Sequence, residues 1–130
     1  MTRKLLFVCV ENSNRSQMAE AFARQHGGAG LEAFSAGSNP SGRINPKALR
    51  FMAELGIDLS QQQSKSLEAV GDGPFDVVIT MGCGDHCPWI AAARREAWAL
   101  PDPRDLDDEG YRQVRDAIER RVRDLLASLT

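Results

Sequence analysis

Long apolar runs, cysteines and a surplus of either charge are all scarce in this chain of 130 residues. Its three cysteines are too few, and odd in number, for a secreted disulfide scaffold; a reducing cytoplasm is expected, in which each thiol is a candidate for reactivity. No apolar run approaches the ~20 residues of a membrane-spanning helix, so no membrane partner is expected. The start, Met1-Thr-Arg-Lys-Leu-Leu-Phe-Val-Cys9, runs into polar Glu11-Asn12 too soon for the apolar region of a signal peptide. With 16 Lys plus Arg against 18 Asp plus Glu the net charge is −2, which argues against a broad nucleic-acid surface. No repeat, linker or low-complexity segment divides the sequence, so residues 1–130 are expected to form one domain.

What is present reads as alternating strands and helices. Lys4–Cys9 suits a parallel strand buried on both faces. A polar loop, Val10–Arg15, follows, and from Ser16 the spacing of Met18, Ala19, Phe22 and Ala23 lays an apolar face along a helix that Gly27-Gly28 stops. A strand is expected at Leu31–Ser35, then turn-forming residues 36–42. Asn45-Pro46 reads as a helix cap and first turn, with Ala48, Leu49, Met52 and Ala53 facing inward and Gly56 closing the helix. Residues 57–70 are expected to be loop with a short helical piece, Phe75–Thr80 a buried strand, Arg95–Ala99 a short fourth strand, and Leu100-Pro101-Asp102-Pro103 a turn. Tyr111, Val114, Ile118, Val122, Leu125, Leu126 and Leu129 recur at three and four residues and give the clearest helix. The pattern predicts an α/β domain with a four-stranded parallel sheet, flanked by helices through right-handed crossovers. Ligands of such sheets bind beyond the carboxyl ends of the strands, which selects the loops after Val8, Thr80 and Leu100.

The first of those loops carries the strongest chemical signal. Cys9-Val10-Glu11-Asn12-Ser13-Asn14-Arg15-Ser16 sets a cysteine and an arginine, with five residues between them, in the stretch from strand to helix. Such a loop can wrap a tetrahedral oxyanion with its backbone N–H groups at the positive end of a helix dipole, while the Arg15 guanidinium holds two oxygens in a fork. Cys9 then lies beneath the central atom. The same donors, with a hydroxyl from Ser16, favour the thiolate, the nucleophilic form of a cysteine. The plainer reading makes Cys9 a small apolar residue at a strand end; the flanking elements and Ser16 favour the chemical one.

Cys9-Val-Glu-Asn-Ser-Asn-Arg-Ser-Gln-Met-Ala-Glu20, Phe34-Ser-Ala-Gly37, Asn45-Pro-Lys-Ala-Leu49, Leu55-Gly-Ile-Asp58 and Asp102-Pro103 together resemble the thioredoxin-coupled arsenate reductases built on the low-molecular-weight tyrosine phosphatase fold. The resemblance spans essentially the whole chain. It implies that Cys9 attacks arsenate and that Asp102 protonates the departing oxygen. It also implies a thiol relay through Met81-Gly-Cys83-Gly-Asp-His-Cys87-Pro88: Cys83 attacks Cys9 to release arsenite, Cys87 attacks Cys83, and the disulfide is offered to a reductant. In a helical or turn-like segment the spacing of Cys83 and Cys87 brings their Cα atoms to ~6 Å, within disulfide range. That spacing is shorter than in the best-known thioredoxin-coupled members, and related reductases with a similar segment draw on a low-molecular-weight thiol. Mycothiol, bacillithiol or glutathione therefore stands beside thioredoxin as the donor. A zinc site of Cys83, His86 and Cys87 would have three ligands at awkward spacing and no partner pair elsewhere, so no metal is expected there. That Cys83 and Cys87 are buried small residues, with only Cys83 reactive, stays open.

A low-molecular-weight protein tyrosine phosphatase needs only Cys9, Arg15 and Asp102, because water can hydrolyse a phosphocysteine. Against it, the turn continues Arg104-Asp-Leu-Asp-Asp-Glu109, without the aromatic residues that sandwich a phenyl ring, and Gln17 stands where the phosphatases have proline. The acidic run also reads as the cap and first turn of the last helix. A non-catalytic oxyanion-binding sensor is the third alternative. Among supporting residues, Asn12 suits a left-handed backbone, and Asn14 removes a thiol that many relatives have. Glu11 is expected to point outward, toward Arg43 or Lys65, and His26 and His86 to face solvent. Ser35 and Glu20 resemble positions that hold potassium in some members, but Ser64 and Lys65 stand where those members have an acidic ligand, so a full potassium site is not expected.

Overall fold

The computed structural model describes residues 2–71, 73–82 and 90–129. In chain order it has β1 (Arg3–Cys9), α1 (Arg15–Gly27), β2 (Leu31–Gly37), α2 (Pro46–Ala53), a one-turn α3 (Leu67–Val70), β3 (Phe75–Thr80), β4 (Ala92–Ala97), a 3-10 turn (Pro103–Asp105) and α4 (Asp108–Ser128). The four strands lie in the order β2-β1-β3-β4, and every neighbouring pair is parallel. This is the parallel α/β sheet that the alternating pattern predicts.

Alternation along the central strands divides the interior in two. Leu5, Phe7, Cys9, Val77 and Ile79 face the larger core, where Met18 and Phe22 of α1, Phe51 and Met52 of α2, and Tyr111, Ile118 and Val122 of α4 cover them. Leu6, Val8, Ala36, Phe75 and Val78 form the smaller core on the other face, closed by Leu67 and Val70 of α3. Because β1 and β3 are buried on both faces, their central residues, Leu5–Cys9 and Val77–Ile79, read as unbroken apolar runs.

Helix ends follow local chemistry. The Asn45 side chain accepts the Lys47 N–H at 2.8 Å, with Pro46 in the first helical position, and Asp107 accepts the Gly110 N–H at 2.8 Å to start α4. Gly28, at φ 71°, receives the chain leaving α1. The acidic residues before α4 thus do serve its first turn, as their composition suggests.

β4 departs from expectation: it occupies Ala92–Ala97 rather than residues 95–99. It is an edge strand whose Arg94 and Arg95 are exposed, so no apolar run marks it, and charge on an edge guards against unwanted pairing. Trp98 is buried just past the strand, its backbone N–H donating to the Thr80 carbonyl at 2.9 Å and its indole N–H to Glu96 Oε1 at 3.0 Å. Among the described residues no helix is long and apolar enough to cross a membrane.

The register sets the site. Cys9 ends β1 level with Gly37 at the end of β2, and Val8 lies opposite Thr80, the last residue of β3. Three strands therefore stop at one edge, and the loops that leave them share one crevice.

Candidate active site

The loop from Cys9 to Arg15 is bent by its carbonyls. Those of Cys9, Val10, Glu11 and Ser13 accept N–H groups of Ser38 (3.2 Å), Asn39 (2.8 Å), Ser41 (3.1 Å) and Asn45 (3.0 Å) from the segment that follows β2. The Asn12 carbonyl accepts Gln17 Nε2 at 3.0 Å, and that of Asn14 accepts the Met18 N–H at 3.0 Å. In a trans peptide the next N–H points opposite to the carbonyl. Tying the carbonyls outward therefore turns the amides of Val10 to Asn14 toward the concave side, where the N-terminus of α1 adds its own unpaired N–H groups. The approach of the two segments is close. A Cβ on Gly37 would lie 2.5 Å from the Val10 carbonyl oxygen, so only glycine fits there.

Asn12 holds the loop from behind. It is fully buried with φ 52°, a conformation asparagine tolerates better than most residues. Its Oδ1 accepts the Lys65 N–H (2.9 Å) and Gln17 Nε2 (2.9 Å), and its Nδ2 donates to Ser16 Oγ at 2.8 Å. Ser16 Oγ lies 2.7 Å from Cys9 Sγ. Since the Ser16 oxygen already accepts from Asn12, its own hydrogen is free to donate to the sulfur. Gln17 and Gln62 exchange a bond between side chains, Gln62 Nε2 to Gln17 Oε1 at 2.7 Å, and Gln17 Nε2 also donates to the Gln63 carbonyl at 2.8 Å. The glutamine that departs from the phosphatase pattern thus ties the loop to residues 62–65.

A cavity of about 600 Å³ opens in front of the loop, lined by Cys9, Val10, Glu11, Ser13, Asn14 and Arg15 and by Asn39, Gly82, Leu100, Asp102 and Arg104. Cys9, Arg15 and Asp102 are thereby brought to one space, whereas Asn12 and Ser16 stand behind it. Arg15 is 8% exposed and is aimed by its Nη1 donating to the Leu100 carbonyl at 2.9 Å. A Cβ on Gly82 would come within 2.3 Å of that nitrogen. Asp102 does two things: Oδ1 accepts the Arg104 N–H at 3.0 Å, capping the turn, while Oδ2 lies 3.9 Å from Arg15 and 3.5 Å from Arg104. The turn role and the site role belong to different oxygens of one carboxylate.

Glu11 does point outward, but its partner is Arg104, at 2.7 Å, and neither Arg43 nor Lys65. The expectation failed because Arg104 is distant in sequence and reaches the loop only through the fold. His26 is likewise not simply solvent-facing: its Nε2 lies 2.9 Å from Glu119 Oε2, and its ring stacks on Phe22. Cys83, Cys87 and His86 lie outside the described residues.

Sequence reasoning missed Tyr111, read there only as part of an apolar helix face. Its ring stacks on Phe51 at 4.8 Å between centroids, and its hydroxyl donates to Asn14 Oδ1 at 2.6 Å. Burial, then the negative charge of Asp102, push the phenol well above the ordinary tyrosine range, so it keeps its proton and remains a donor. As the sole tyrosine at an inward position, it gave one usable signal: a buried hydroxyl requires a partner.

The resemblance raised potassium at Glu20 and Ser35. Glu20 Oε1 accepts the Ser35 hydroxyl at 2.6 Å and lies 3.6 Å from Lys65 Nζ, while Oε2 lies 3.0 Å from Arg24. Ser64 Oγ is turned away, donating to the Glu11 carbonyl at 2.9 Å. A carboxylate already faced by an ammonium and a guanidinium does not suit a further cation. Among the described residues no three His, Cys, Asp or Glu groups come together as metal ligands.

The chain is similar to known proteins along nearly its whole length. The chain is 40% identical to a glutaredoxin arsenate reductase of Synechocystis sp. over 98% of its own length and 99% of that protein. It superposes on a solved arsenate reductase in the phosphate-binding state with TM-score 0.90 at 39% identity, covering 99% of this chain and 100% of the other. A thioredoxin-dependent arsenate reductase of Corynebacterium glutamicum matches with TM-score 0.81 at 34% identity over 98% of this chain and 61% of the other. The family model for low molecular weight phosphotyrosine protein phosphatase matches residues 4–130. With nearly the whole sequence inside that model, the chain belongs to the low-molecular-weight phosphotyrosine protein phosphatase family.

Proposed function

We propose that the protein is an arsenate reductase in which Cys9 is the nucleophile. The observation that carries this reading is the meeting of Cys9, Arg15 and Asp102 around one cavity in a chain similar over nearly its whole length to proteins named as arsenate reductases. The amides of Val10, Glu11, Asn12, Ser13 and Asn14 and the Arg15 fork hold the oxyanion, which positions its central atom over the sulfur. Cys9 Sγ forms a bond to arsenic, one arsenic–oxygen bond breaks, and Asp102 gives the proton with which that oxygen leaves as water. A second thiol then attacks Cys9 Sγ. A sulfur–sulfur bond forms, the sulfur–arsenic pair of electrons stays on arsenic, and arsenite departs reduced by two electrons while two sulfurs are oxidised.

In this reading the second thiol is Cys83, and Cys87 resolves the mixed disulfide for thioredoxin. A low-molecular-weight thiol in place of Cys83 or Cys87 is the second reading; the 40% identity to a glutaredoxin-linked relative favours it. The phosphatase reading has less support, because Arg104 and Asp105 follow the Asp102-Pro103 pair where a phenyl ring would need aromatic walls. The reaction belongs in the cytoplasm, where thiol reductants are abundant.

Arsenate-dependent reductant consumption by the purified protein tests the reading, with thioredoxin, glutathione plus glutaredoxin, and mycothiol each supplied alone. Turnover with thioredoxin that stops at a trapped Cys9–Cys83 disulfide in Cys87→Ser supports the relay. Full multiple turnover in Cys87→Ser assigns resolution to an external thiol, and no arsenite from any donor overturns the function.

A further inference from the structure

Glu20 is a buried ionisable group for which the reaction above has no use. Its side chain is 2% exposed, on the inner face of α1. A carboxylate so far from water persists as a charge only with compensation nearby. Arg24 supplies part, but its own side chain is 58% exposed; Lys65 is the more enclosed cation, 24% exposed and 3.6 Å from Oε1.

Lys65 is also held by its backbone on both sides. Its N–H donates to Asn12 Oδ1 at 2.9 Å, and its carbonyl accepts the Gly37 N–H at 2.9 Å, while Nζ donates to the Gln63 carbonyl at 3.1 Å. From Asn12 the path runs through Ser16 Oγ (2.8 Å) to Cys9 Sγ (2.7 Å). The ammonium therefore pins residues 62–65 to α1 at the point where those residues hold the asparagine that sets the serine on the sulfur.

We propose that Lys65 is a positioning residue for the nucleophile: its ammonium serves as a tethered cation for Glu20, keeps Asn12 and Ser16 in register with Cys9, and removes any need for a free monovalent cation at this place. The inference rests on Cys9 being the reacting group, but two of its readouts do not require arsenate turnover.

The experiment compares wild type, Lys65→Met and Lys65→Arg. Alkylation of Cys9 by iodoacetamide at neutral pH and protection of Cys9 by inorganic phosphate are measured for each. Circular dichroism checks the fold, and arsenate reduction is followed in sodium and in potassium buffers. Lys65→Met keeps the apolar stem but loses the charge, so alkylation slows about five- to tenfold and phosphate protects less well, the scale expected when a buried charge loses its partner. Lys65→Arg recovers most of both, and wild-type turnover is the same in sodium and potassium. Wild-type alkylation and protection in Lys65→Met overturn the proposal, as does equal impairment in Lys65→Arg or acceleration of the wild type by potassium. If the wild type reduces no arsenate at all, the functional reading fails while alkylation and phosphate protection still decide the role of Lys65.

Discussion

Behind the nucleophile loop and in front of it, the same stretch of chain is held by different physics. Behind it, Asn12, Ser16 and Gln17 are fully buried and joined by neutral hydrogen bonds of 2.7–3.0 Å. In front, Glu11, Asp102 and Arg104 are 35–50% exposed at the side chain and joined by charge. Buried hydrogen bonds are geometrically strict and costly to leave half made, whereas exposed ion pairs are weak and screened by salt. The difference implies that the floor fixes where the sulfur is, while the rim adjusts the charge that an incoming anion meets.

Asn12→Ala tests the floor most severely. It removes the residue suited to φ 52°, leaves the Lys65 N–H without its acceptor, and takes one partner each from the Gln17 amide and the Ser16 hydroxyl. A loss of about 3 kcal/mol in urea unfolding is expected, with turnover down about a hundredfold from misplacement of the reacting atoms. A folded variant of wild-type stability would show that the floor is not rigid, and the contrast with the rim would fail.

Tyr111→Phe is the finer probe. It keeps the ring on Phe51 and removes only the hydroxyl on Asn14, leaving a buried amide oxygen unpaired at the cavity wall. Stability falls by about 1–2 kcal/mol, and phosphate binding, followed by titration calorimetry, weakens because Asn14 is no longer aimed. Loss of stability with unchanged phosphate affinity would confine Tyr111 to the fold.

At the rim, Arg104→Ala leaves the Glu11 carboxylate, at the edge of the cavity, without its 2.7 Å partner. Stability changes by less than about 0.5 kcal/mol, while oxyanion affinity drops about three- to fivefold at low salt and less at high salt. Adding Glu11→Gln to Arg104→Ala should restore much of that loss. Failure to restore it would mean that Arg104 acts directly on the anion and not by neutralising Glu11.

The same division explains what was legible beforehand. Local signals carried the strands, the three longer helices and the Cys9–Arg15 loop, since apolar period, Asn45-Pro46 and glycine stops act within a few residues. β4 was misplaced because an edge strand bears charge. Cys9 and Arg15 stand out by residue type and spacing, whereas Asp102 was singled out by the resemblance of the Asp102-Pro103 pair; the fold brings all three to one cavity. Arg104 against Glu11, Tyr111 against Asn14 and Lys65 against Glu20 join positions 93, 97 and 45 residues apart, and nothing local marks one member of such a pair for the other.

Far from the site, Glu54 separates the effect of charge from that of location. It is exposed at the end of α2, where Arg112 grips both its oxygens at 2.8–3.3 Å and Arg115 reaches it at 2.7 Å. Hydrogen bonds from Arg112 first and Arg115 second hold its carboxyl down from 4.5 to about 2. A carboxylate with a depressed folded value binds protons more readily in the unfolded chain, so its contribution is present above pH 4.5 and is lost as pH falls toward 2. Glu54→Gln should therefore reduce the loss of stability across that acid window and cost little at neutral pH, where exposed pairs contribute weakly. Urea unfolding at a series of pH values reads it out. An acid limb as steep in Glu54→Gln as in the wild type would assign the acid sensitivity to other carboxylates, and would place this network, despite its bidentate geometry, beside the rim pairs as a surface arrangement with little hold on the fold.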